Sequence, residues 1–391
     1  MNLIYLANAT IYTGITILHK GAVVVKGGKI DNVLNKERFE KEEIPPDAKV
    51  YDLQGKTLAP GFVDTHIHGF DGVGTEDASE DAILQMSEKL AQYGVTGFCP
   101  TLYPQEPDKF IATVKEVSKA FGKEKGAINF GLHLEGPFIS PTKLGVQRPE
   151  SISEVDLDLM DKLYNAANGN IAIMTVAPEL KNMRKLALYC NKKGIVLSAG
   201  HTDATYNQML EGMHSGILHS THLFNAMRGM HHRDPAVVGA VLIHSQMSAE
   251  IIPDGFHVHP ALVNLLRKDK PVSNIVMVTD ALRPTQQKEG VLIANGEEVY
   301  LDDKIFKRKE DDVIAGSSLL MIDGVKNLVD WGQPIHDAIR MASTNPVRIL
   351  NQSLKTGSLL PEYDADIVVF DENFNVEMTI IKGEIVKDYK S

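Results

Sequence analysis

The chain of 391 residues is short of cysteine and of long apolar runs, and both shortages exclude classes of protein. Its two cysteines, Cys99 and Cys190, are too few for a disulfide framework and indicate buried thiols in a reducing cytosol. The sequence has no apolar span of roughly 20 residues, the length that crosses a bilayer. Its start lacks the basic segment and unbroken apolar core of a signal peptide. We therefore expect a cytoplasmic protein without membrane contact.

Positive charge is also scarce. The chain has 40 lysines and arginines against 51 acidic residues, a formal charge of −11. Proteins that bind nucleic acids usually concentrate basic residues on one face, so we expect no nucleic-acid partner. A single phosphorylated metabolite can still bind locally. With 43% hydrophobic and 23% charged residues, the composition is that of an ordinary soluble globular protein.

Both ends of the chain predict short strands joined by tight turns, without helical signals. The predicted strands cover residues 3–12, 21–25 and 29–33 at the start, and 366–370, 378–381 and 385–386 at the end. We expect the two ends, residues 1–54 and 359–391, to fold together into one small β-sandwich.

Between the ends, strand-like apolar runs alternate with segments of helical period, the pattern of βα units around a parallel sheet. Eight such runs are present, at residues 61–66, 95–100, 128–134, 171–176, 195–200, 217–223, 248–252 and 275–279. The helix predicted over 79–93 is typical, because Ser79 can cap its start and Gly94 can end it.

Eight strands with intervening helices predict an α/β fold, a (β/α)₈ TIM-type barrel over residues 55–358. The length suits this fold, since one barrel of about 250 residues and a small accessory domain use up the chain. An open dinucleotide-binding sheet lacks its Gly-x-Gly-x-x-Gly fingerprint here. Hairpin-like strands near 290–314 predict an insertion beside the last barrel strand.

Polar residues follow several of these strands, at the end where a barrel builds its active site. His66 and His68 close the first strand and share a face, because alternate strand residues point to the same side. A His-x-His pair alone is more often an ordinary surface or core feature.

Four later strand ends carry Glu135, His201, His222 and Asp280. Each has a structural explanation by itself, such as an ion pair, a strand end or a helix cap. Their recurrence at the same end of successive strands favours a metal centre instead. A carboxylate with several imidazoles suits Zn²⁺ or Fe²⁺ and leaves a position for water, so these residues predict a metal-dependent hydrolase.

Six segments of the sequence resemble the N-acetylglucosamine-6-phosphate deacetylases, a family of amidohydrolases. They are Pro60–Gly69 (PGFVDTHIHG), His133–Phe138 (HLEGPF), Ala199–Asp203 (AGHTD), Thr221–Met227 (THLFNAM), Asp254–His257 (DGFH) and Val278–Ala281 (VTDA). The resemblance extends from Gly55 to about Asp366, essentially the whole predicted barrel.

The resemblance implies a role for each strand-end residue. Glu135, His201 and His222 become ligands of the principal metal, and Asp280 becomes the catalytic acid and base. Some family members lack the early histidine pair and use one ion. Because His66 and His68 are both present here, one or two ions per subunit are expected.

The resemblance also implies substrate contacts. Asn225 and Ala226 correspond to residues near the phosphate, and Arg233 and His257 to residues that reach the substrate across the interface of a homodimer. Alternatively, Arg233 is part of a solvated loop and pairs with Asp234. Gln147 stands where certain members have a histidine thought to polarise the acetyl carbonyl. Glutamine can donate a hydrogen bond there but cannot become cationic.

The implied reaction is hydrolysis of N-acetyl-D-glucosamine 6-phosphate to acetate and D-glucosamine 6-phosphate. N-acetylgalactosamine 6-phosphate is the nearest alternative substrate, since one inverted hydroxyl changes few contacts. Dihydroorotases and nucleobase deaminases carry different strand-end motifs. A non-catalytic relative usually loses ligands or the catalytic carboxylate, all of which are present here.

Overall fold

The computed structural model describes residues 3–287 and 291–388, and each of the eight predicted barrel strands is present in it. We number these strands β1 to β8. Their bounds are Phe62–Ile67, Val95–Leu102, Leu132–Glu135, Ile171–Val176, Val196–Ala199, His219–Ser220, Ala249–Ile251 and Ile275–Met277. The third predicted strand is split, because Ile128–Asn129 pairs with β2 and Gly131 turns the chain with a φ of 118° before β3 begins.

The strands form a closed parallel ring. β1 to β6 pair in sequence order, and β7 pairs with β8. Two backbone bonds join β6 to β7, from Ser220 N to Ser248 O at 3.0 Å and from Leu223 N to Glu250 O at 2.9 Å. The bond from Asp280 N to His66 O at 2.9 Å closes the ring between β8 and β1. The predicted barrel is confirmed.

Helices follow the strands on the outside of the ring. We number them α1 to α10: Glu80–Ala91, Pro107–Val117, Leu157–Ala166, Met183–Lys193, Tyr206–His214, Ala236–Ile243, Pro260–Asp269, Met321–Asp330, Ile335–Ala342 and Thr344–Ile349. In α1 the Ser79 hydroxyl accepts a hydrogen bond from Ala82 N, and Ile83, Met86 and Leu90 are buried against the strands. Among the described residues, no helix combines the length and apolar character needed to span a membrane.

The strands at both ends of the chain form one eight-stranded sheet, the terminal sheet. Its strands are Leu3–Tyr12, Ile17–Lys26, Lys29–Leu34, Lys49–Asp52, Thr57–Pro60, Ile367–Phe370, Val376–Ile381 and Glu384–Lys387. One apolar core contains side chains from its first and last strands, such as Ile4 and Ile380. The two ends therefore fold together as predicted, although residues 1–2 and 389–391 lie outside the described part of the chain.

The strand Thr57–Pro60 belongs to the terminal sheet, since it pairs with Ile367–Phe370. It follows residue 55, where the barrel was expected to begin. We therefore propose that the boundary between the two regions lies after Pro60.

The predicted insertion forms a four-stranded antiparallel sheet. Its strands are Ile293–Ala294, Glu297–Asp302, Ile305–Arg308 and Ile314–Ser317. Ser317 forms a parallel bridge with Ala281, which follows the end of β8 at Met277, and this contact holds the insertion over the carboxyl end of the barrel. Gly290, where the insertion was expected to begin, lies outside the described residues.

Candidate active site

The predicted ligands meet at the carboxyl end of the barrel. His66 lies in β1, Glu135 is the last residue of β3, and Asp280 follows β8. His68, His201 and His222 come just after their strands. We call these six residues the candidate metal centre. All are buried except Asp280, which is partly accessible.

Glu135 is the centre of one group of ligand atoms. Its Oε1 lies 3.0 Å from His201 Nε2 and 3.2 Å from His222 Nε2, and these two nitrogens are 3.2 Å apart. Ligands about 2.0–2.2 Å from a tetrahedral zinc ion are separated by about 3.3–3.6 Å. The three atoms thus have nearly the spacing of one face of a coordination sphere, and they fit a divalent cation.

His66, His68 and Asp280 form a second group beside the first. Asp280 Oδ1 lies 3.6 Å from His66 Nε2 and 3.4 Å from His68 Nε2. Glu135 is shared between the groups, since its Oε2 is 3.5 Å from His68 Nε2. His66 Nε2 is buried and has no hydrogen-bond partner, which suits a nitrogen whose lone pair binds a cation.

Local backbone strain and hydrogen bonding orient these ligands. His201, His222 and Asp280 have φ values of 47°, 24° and 52°, a region that residues other than glycine rarely adopt and that is concentrated at functional sites. His201 Nδ1 lies 3.0 Å from Lys143 O. Because a carbonyl only accepts, Nδ1 carries a proton, and Nε2 is the nitrogen left to face Glu135 and to bind a cation shared with it.

The electrostatics also favour a cation. Burial opposes ionisation of Glu135, but charge interaction with His201 and hydrogen bonds from the surrounding imidazoles lower its pKa well below the usual value. Burial opposes charge on His66, yet Asp280, Glu135 and other nearby carboxylates raise its pKa well above the usual value. Without a metal, the carboxylates therefore hold protons on the imidazoles. A divalent cation can replace those protons.

A cavity of about 280 Å³ opens beside the candidate metal centre. Four predicted substrate residues, Gln147, Asn225, Ala226 and His257, line it. Gln147 Nε2 donates to Glu135 Oε2 at 2.6 Å, and His257 Nδ1 lies 2.6 Å from Asp254 Oδ2. Asn225 Nδ2 donates to His222 O at 3.3 Å. The structure thus places these four residues next to the candidate ligands. The expectation that His257 acts across a dimer interface is wrong, because its buried side chain lines the cavity of its own chain.

Arg233 lies outside this group. It is exposed on the loop before α6, and its Nη1 is 3.0 Å from His232 Nε2. The alternative pairing with Asp234 is wrong: Asp234 accepts hydrogen bonds from Arg228 Nη1 at 3.2 Å and from Tyr206 N at 3.0 Å. The role of Arg233 across a dimer interface requires a second chain and stays a prediction.

Two parts of the cavity wall were missed by sequence reasoning. Tyr103 stacks on His68, with ring centroids 3.8 Å apart and an interplanar angle of 4°. Its position directly after β2 was the available signal. Residues 313–316 of the insertion form an apolar wall of the cavity. The sequence carries no local signal for this wall, because the position of these residues depends on how the insertion folds over the barrel.

Comparison with known proteins agrees with this geometry. The amidohydrolase family model matches residues 57–386, and the NagA composite domain matches residues 5–58. An N-acetylglucosamine-6-phosphate deacetylase of Bacillus subtilis is 33% identical over 94% of this chain and 93% of its own. An N-acetylgalactosamine-6-phosphate deacetylase of Escherichia coli O157:H7 is 30% identical over 87% of this chain and 90% of its own.

Solved structures agree as well. The N-acetylglucosamine-6-phosphate deacetylase of Pasteurella multocida has a TM-score of 0.91 at 31% identity, covering 98% of this chain and 99% of its own. A Mycobacterium smegmatis mutant enzyme in complex with N-acetyl-D-glucosamine-6-phosphate has a TM-score of 0.90 at 27% identity, covering 99% of this chain and 100% of its own. The chain belongs to the N-acetylglucosamine-6-phosphate deacetylase family of the amidohydrolases.

Proposed function

We propose that this protein hydrolyses the acetamide of N-acetyl-D-glucosamine 6-phosphate to acetate and D-glucosamine 6-phosphate. The observation that carries the proposal is the cluster of Glu135, His201 and His222, whose ligand atoms lie 3.0–3.2 Å apart beside a cavity that Asp280 also lines. The deacetylases that resemble this chain over most of its length support the same reaction.

Glu135, His201 and His222 would hold the principal divalent ion, and His66, His68 and Asp280 a second, weaker one. Zn²⁺ or Fe²⁺ suits this mixture of imidazole and carboxylate. A bound ion supplies Lewis acidity, which activates water for attack and stabilises negative charge on the acetyl oxygen. His66 belongs to the second group, and its Nε2 also lies 3.4 Å from Glu135 Oε1 of the first, so occupancy of the second site would depend on the orientation of this ring.

Asp280 is the proposed catalytic acid and base. Burial opposes its ionisation, but His66 and His68 lower its pKa, so it is ionised and can accept a proton near neutral pH. It would take a proton from the attacking water and then deliver it to the amine, which must leave protonated. Its position in the cavity wall, within the second group of ligands, is suited to this transfer.

The other cavity residues would bind and orient the sugar. Gln147 donates to Glu135 through Nε2, while its Oε1 is buried and has no partner. Gln147 would thus hold Glu135 in place at the acetyl end of the cavity. Asn225 and Ala226 would contact the phosphorylated end, together with Arg233 from the second subunit of a homodimer, and His257 would contact the substrate from the cavity wall of its own chain. The cytoplasmic location expected from the composition remains part of this proposal.

Acetate release, measured with the metal content quantified, tests the function. We expect rapid release from N-acetylglucosamine 6-phosphate and slow release from the unphosphorylated sugar. Faster turnover of N-acetylgalactosamine 6-phosphate would instead assign the epimeric reaction, which the Escherichia coli relative makes the second candidate. A metal-loaded protein that releases acetate from none of these sugars would contradict the proposal.

A further inference from the structure

Glu250 lies under the candidate metal centre, in the middle of β7, and none of the sequence motifs includes it. Its side chain is completely buried inside the barrel, with 0% of its surface exposed. A buried carboxylate is costly unless charged or polar groups surround it. The partners of Glu250 therefore indicate its role.

One oxygen of Glu250 contacts two of the candidate ligands. Oε2 lies 3.1 Å from His66 Nδ1 and accepts a hydrogen bond from the backbone N of His222 at 3.3 Å. A carboxylate only accepts, so His66 Nδ1 must be the donor. Nε2 is then the nitrogen that can bind a cation through its lone pair, and it faces Glu135 Oε1 at 3.4 Å and Asp280 Oδ1 at 3.6 Å.

The contact with His222 acts on the backbone rather than on the ring. His222 has the strained φ of 24°, and the carboxylate of Glu250 holds its N–H at the end of β6. The other oxygen, Oε1, lies 3.4 Å from His219 Nε2, and His219 Nδ1 lies 2.8 Å from Ser248 Oγ. The carboxylate of Glu250 is thus held between His66 of β1 and His219 of β6.

Glu250 is poorly placed to be a metal ligand. The possible ligand cluster that includes Glu250 also contains His66 and His133. The nitrogen of His66 that lies near Glu250 is Nδ1, which is already hydrogen-bonded to it. His133 Nδ1 lies 2.9 Å from Thr65 O and its Nε2 lies 2.8 Å from Thr175 Oγ1, so both ring nitrogens are engaged. The contacts of Glu250 are therefore those of a residue that supports the candidate ligands, not those of a ligand.

We infer that Glu250 is a positioning residue of the metal centre: it fixes the tautomer and direction of His66 and supports the backbone of His222. The inference rests on the proposed metal-dependent function. In other metal sites a carboxylate behind a ligating histidine orients the ring and raises its basicity, and its loss weakens metal binding about 10- to 100-fold. The ion that depends on the His66 ring should weaken most.

Titration of the metal-free protein with Co²⁺, followed by visible absorption, tests the role of Glu250. Glu250→Gln keeps the size of the side chain and one acceptor oxygen but removes the charge. We expect the dissociation constant of the weaker ion to rise about 10- to 100-fold with an altered Co²⁺ spectrum, and that of the tighter ion to rise less. Glu250→Asp, which keeps the charge but withdraws it from His66, should also weaken the weaker ion.

Asp366→Asn is the matched control, because it removes a buried carboxylate beside the terminal sheet whose hydrogen-bond partners, Thr356 and Lys382, are not candidate ligands. It should leave Co²⁺ affinity unchanged. Folded Glu250→Gln protein with wild-type affinity and spectrum would overturn the inference. If Glu250→Gln does not fold, wild-type affinity and spectrum in Glu250→Asp would overturn it equally. A wild-type protein that binds no Co²⁺ would instead contradict the proposed metal centre itself.

Discussion

Glu135 in the barrel and Asp366 in the terminal sheet are carboxylates of the same exposure, 3% each, in different surroundings. Asp366 accepts hydrogen bonds from Thr356 Oγ1 at 2.7 Å and from Lys382 N at 2.8 Å. Burial raises its pKa above the usual value. Around Glu135 the imidazoles of His201 and His222 outweigh burial and lower the pKa.

The comparison teaches that burial alone does not identify a functional carboxylate. Uncharged donors around Asp366 tie two loops to the terminal sheet but do not offset the effect of burial, so the pKa of Asp366 stays above its usual value. Imidazoles around Glu135 favour the ionised form, whose charge a cation can balance. Buried carboxylates with uncharged partners should matter for stability, and buried carboxylates surrounded by imidazoles should matter for metal binding and turnover.

The largest effects are expected from loss of the principal ligands. Glu135→Ala and His201→Ala should each deplete the principal ion and abolish acetate release, because each removes one of the three clustered ligand atoms. His66→Ala should be milder if the second ion is optional. Metal analysis and acetate release on the purified variants provide the measurement. Complete loss in all three variants would indicate an obligatory two-metal centre.

Asp280→Asn should be the next most damaging change. The amide keeps the shape of the side chain and removes the proton acceptor, so turnover should fall by a factor on the order of 10² to 10⁴ while the principal ion is retained. The measurement is kcat with metal content determined on the same sample. Near wild-type turnover would remove Asp280 from the mechanism.

A smaller and substrate-specific effect is expected at Arg233. A guanidinium can meet two phosphate oxygens at once, and a hydrogen bond to a charged group contributes about 1.5–3 kcal/mol. Arg233→Ala should therefore raise KM for N-acetylglucosamine 6-phosphate about 10- to 100-fold. The slow reaction of the unphosphorylated sugar should barely change, and an unchanged KM for the phosphorylated one would exclude Arg233 from phosphate binding.

Mixed dimers test whether Arg233 acts across the interface. In a dimer of one Arg233→Ala subunit and one Asp280→Asn subunit, one active site would carry both substitutions and the other neither. Activity should therefore partly return when the two variants are combined. No recovery in verified mixed dimers would place Arg233 in the site of its own subunit.

The smallest effect is expected from Asp366→Asn, which should leave kcat and KM unchanged and alter the free energy of unfolding by about 1 kcal/mol or less at neutral pH. A raised folded pKa means that Asp366 contributes most to stability at low pH, where it is protonated, and that this contribution is lost as the pH rises through the folded pKa. Asparagine does not titrate, so the variant should gain stability relative to the wild type as the pH rises above about 4. Chemical denaturation at several pH values checks this, and the opposite trend would contradict the raised pKa.

Local sequence patterns were enough to predict the barrel and its candidate metal centre. Each of β1 to β8 lies within a short strand-like run bounded by helical or turn signals, and parallel strands bring their carboxyl ends to one face. A polar residue directly after such a run, such as Glu135 or Asp280, is therefore placed by the fold itself. The sequence motifs that indicated the family contain these same strand-end residues.

Tertiary structure decided what surrounds those ligands. In the sequence, Glu250 is one charged residue among mostly apolar neighbours. Only the register of β7 against the adjacent strands places its side chain next to His66. The wall at residues 313–316 depends on the bridge that folds the insertion over β8. Such contacts join residues far apart in the chain, and no local pattern of side chains encodes the distance between them.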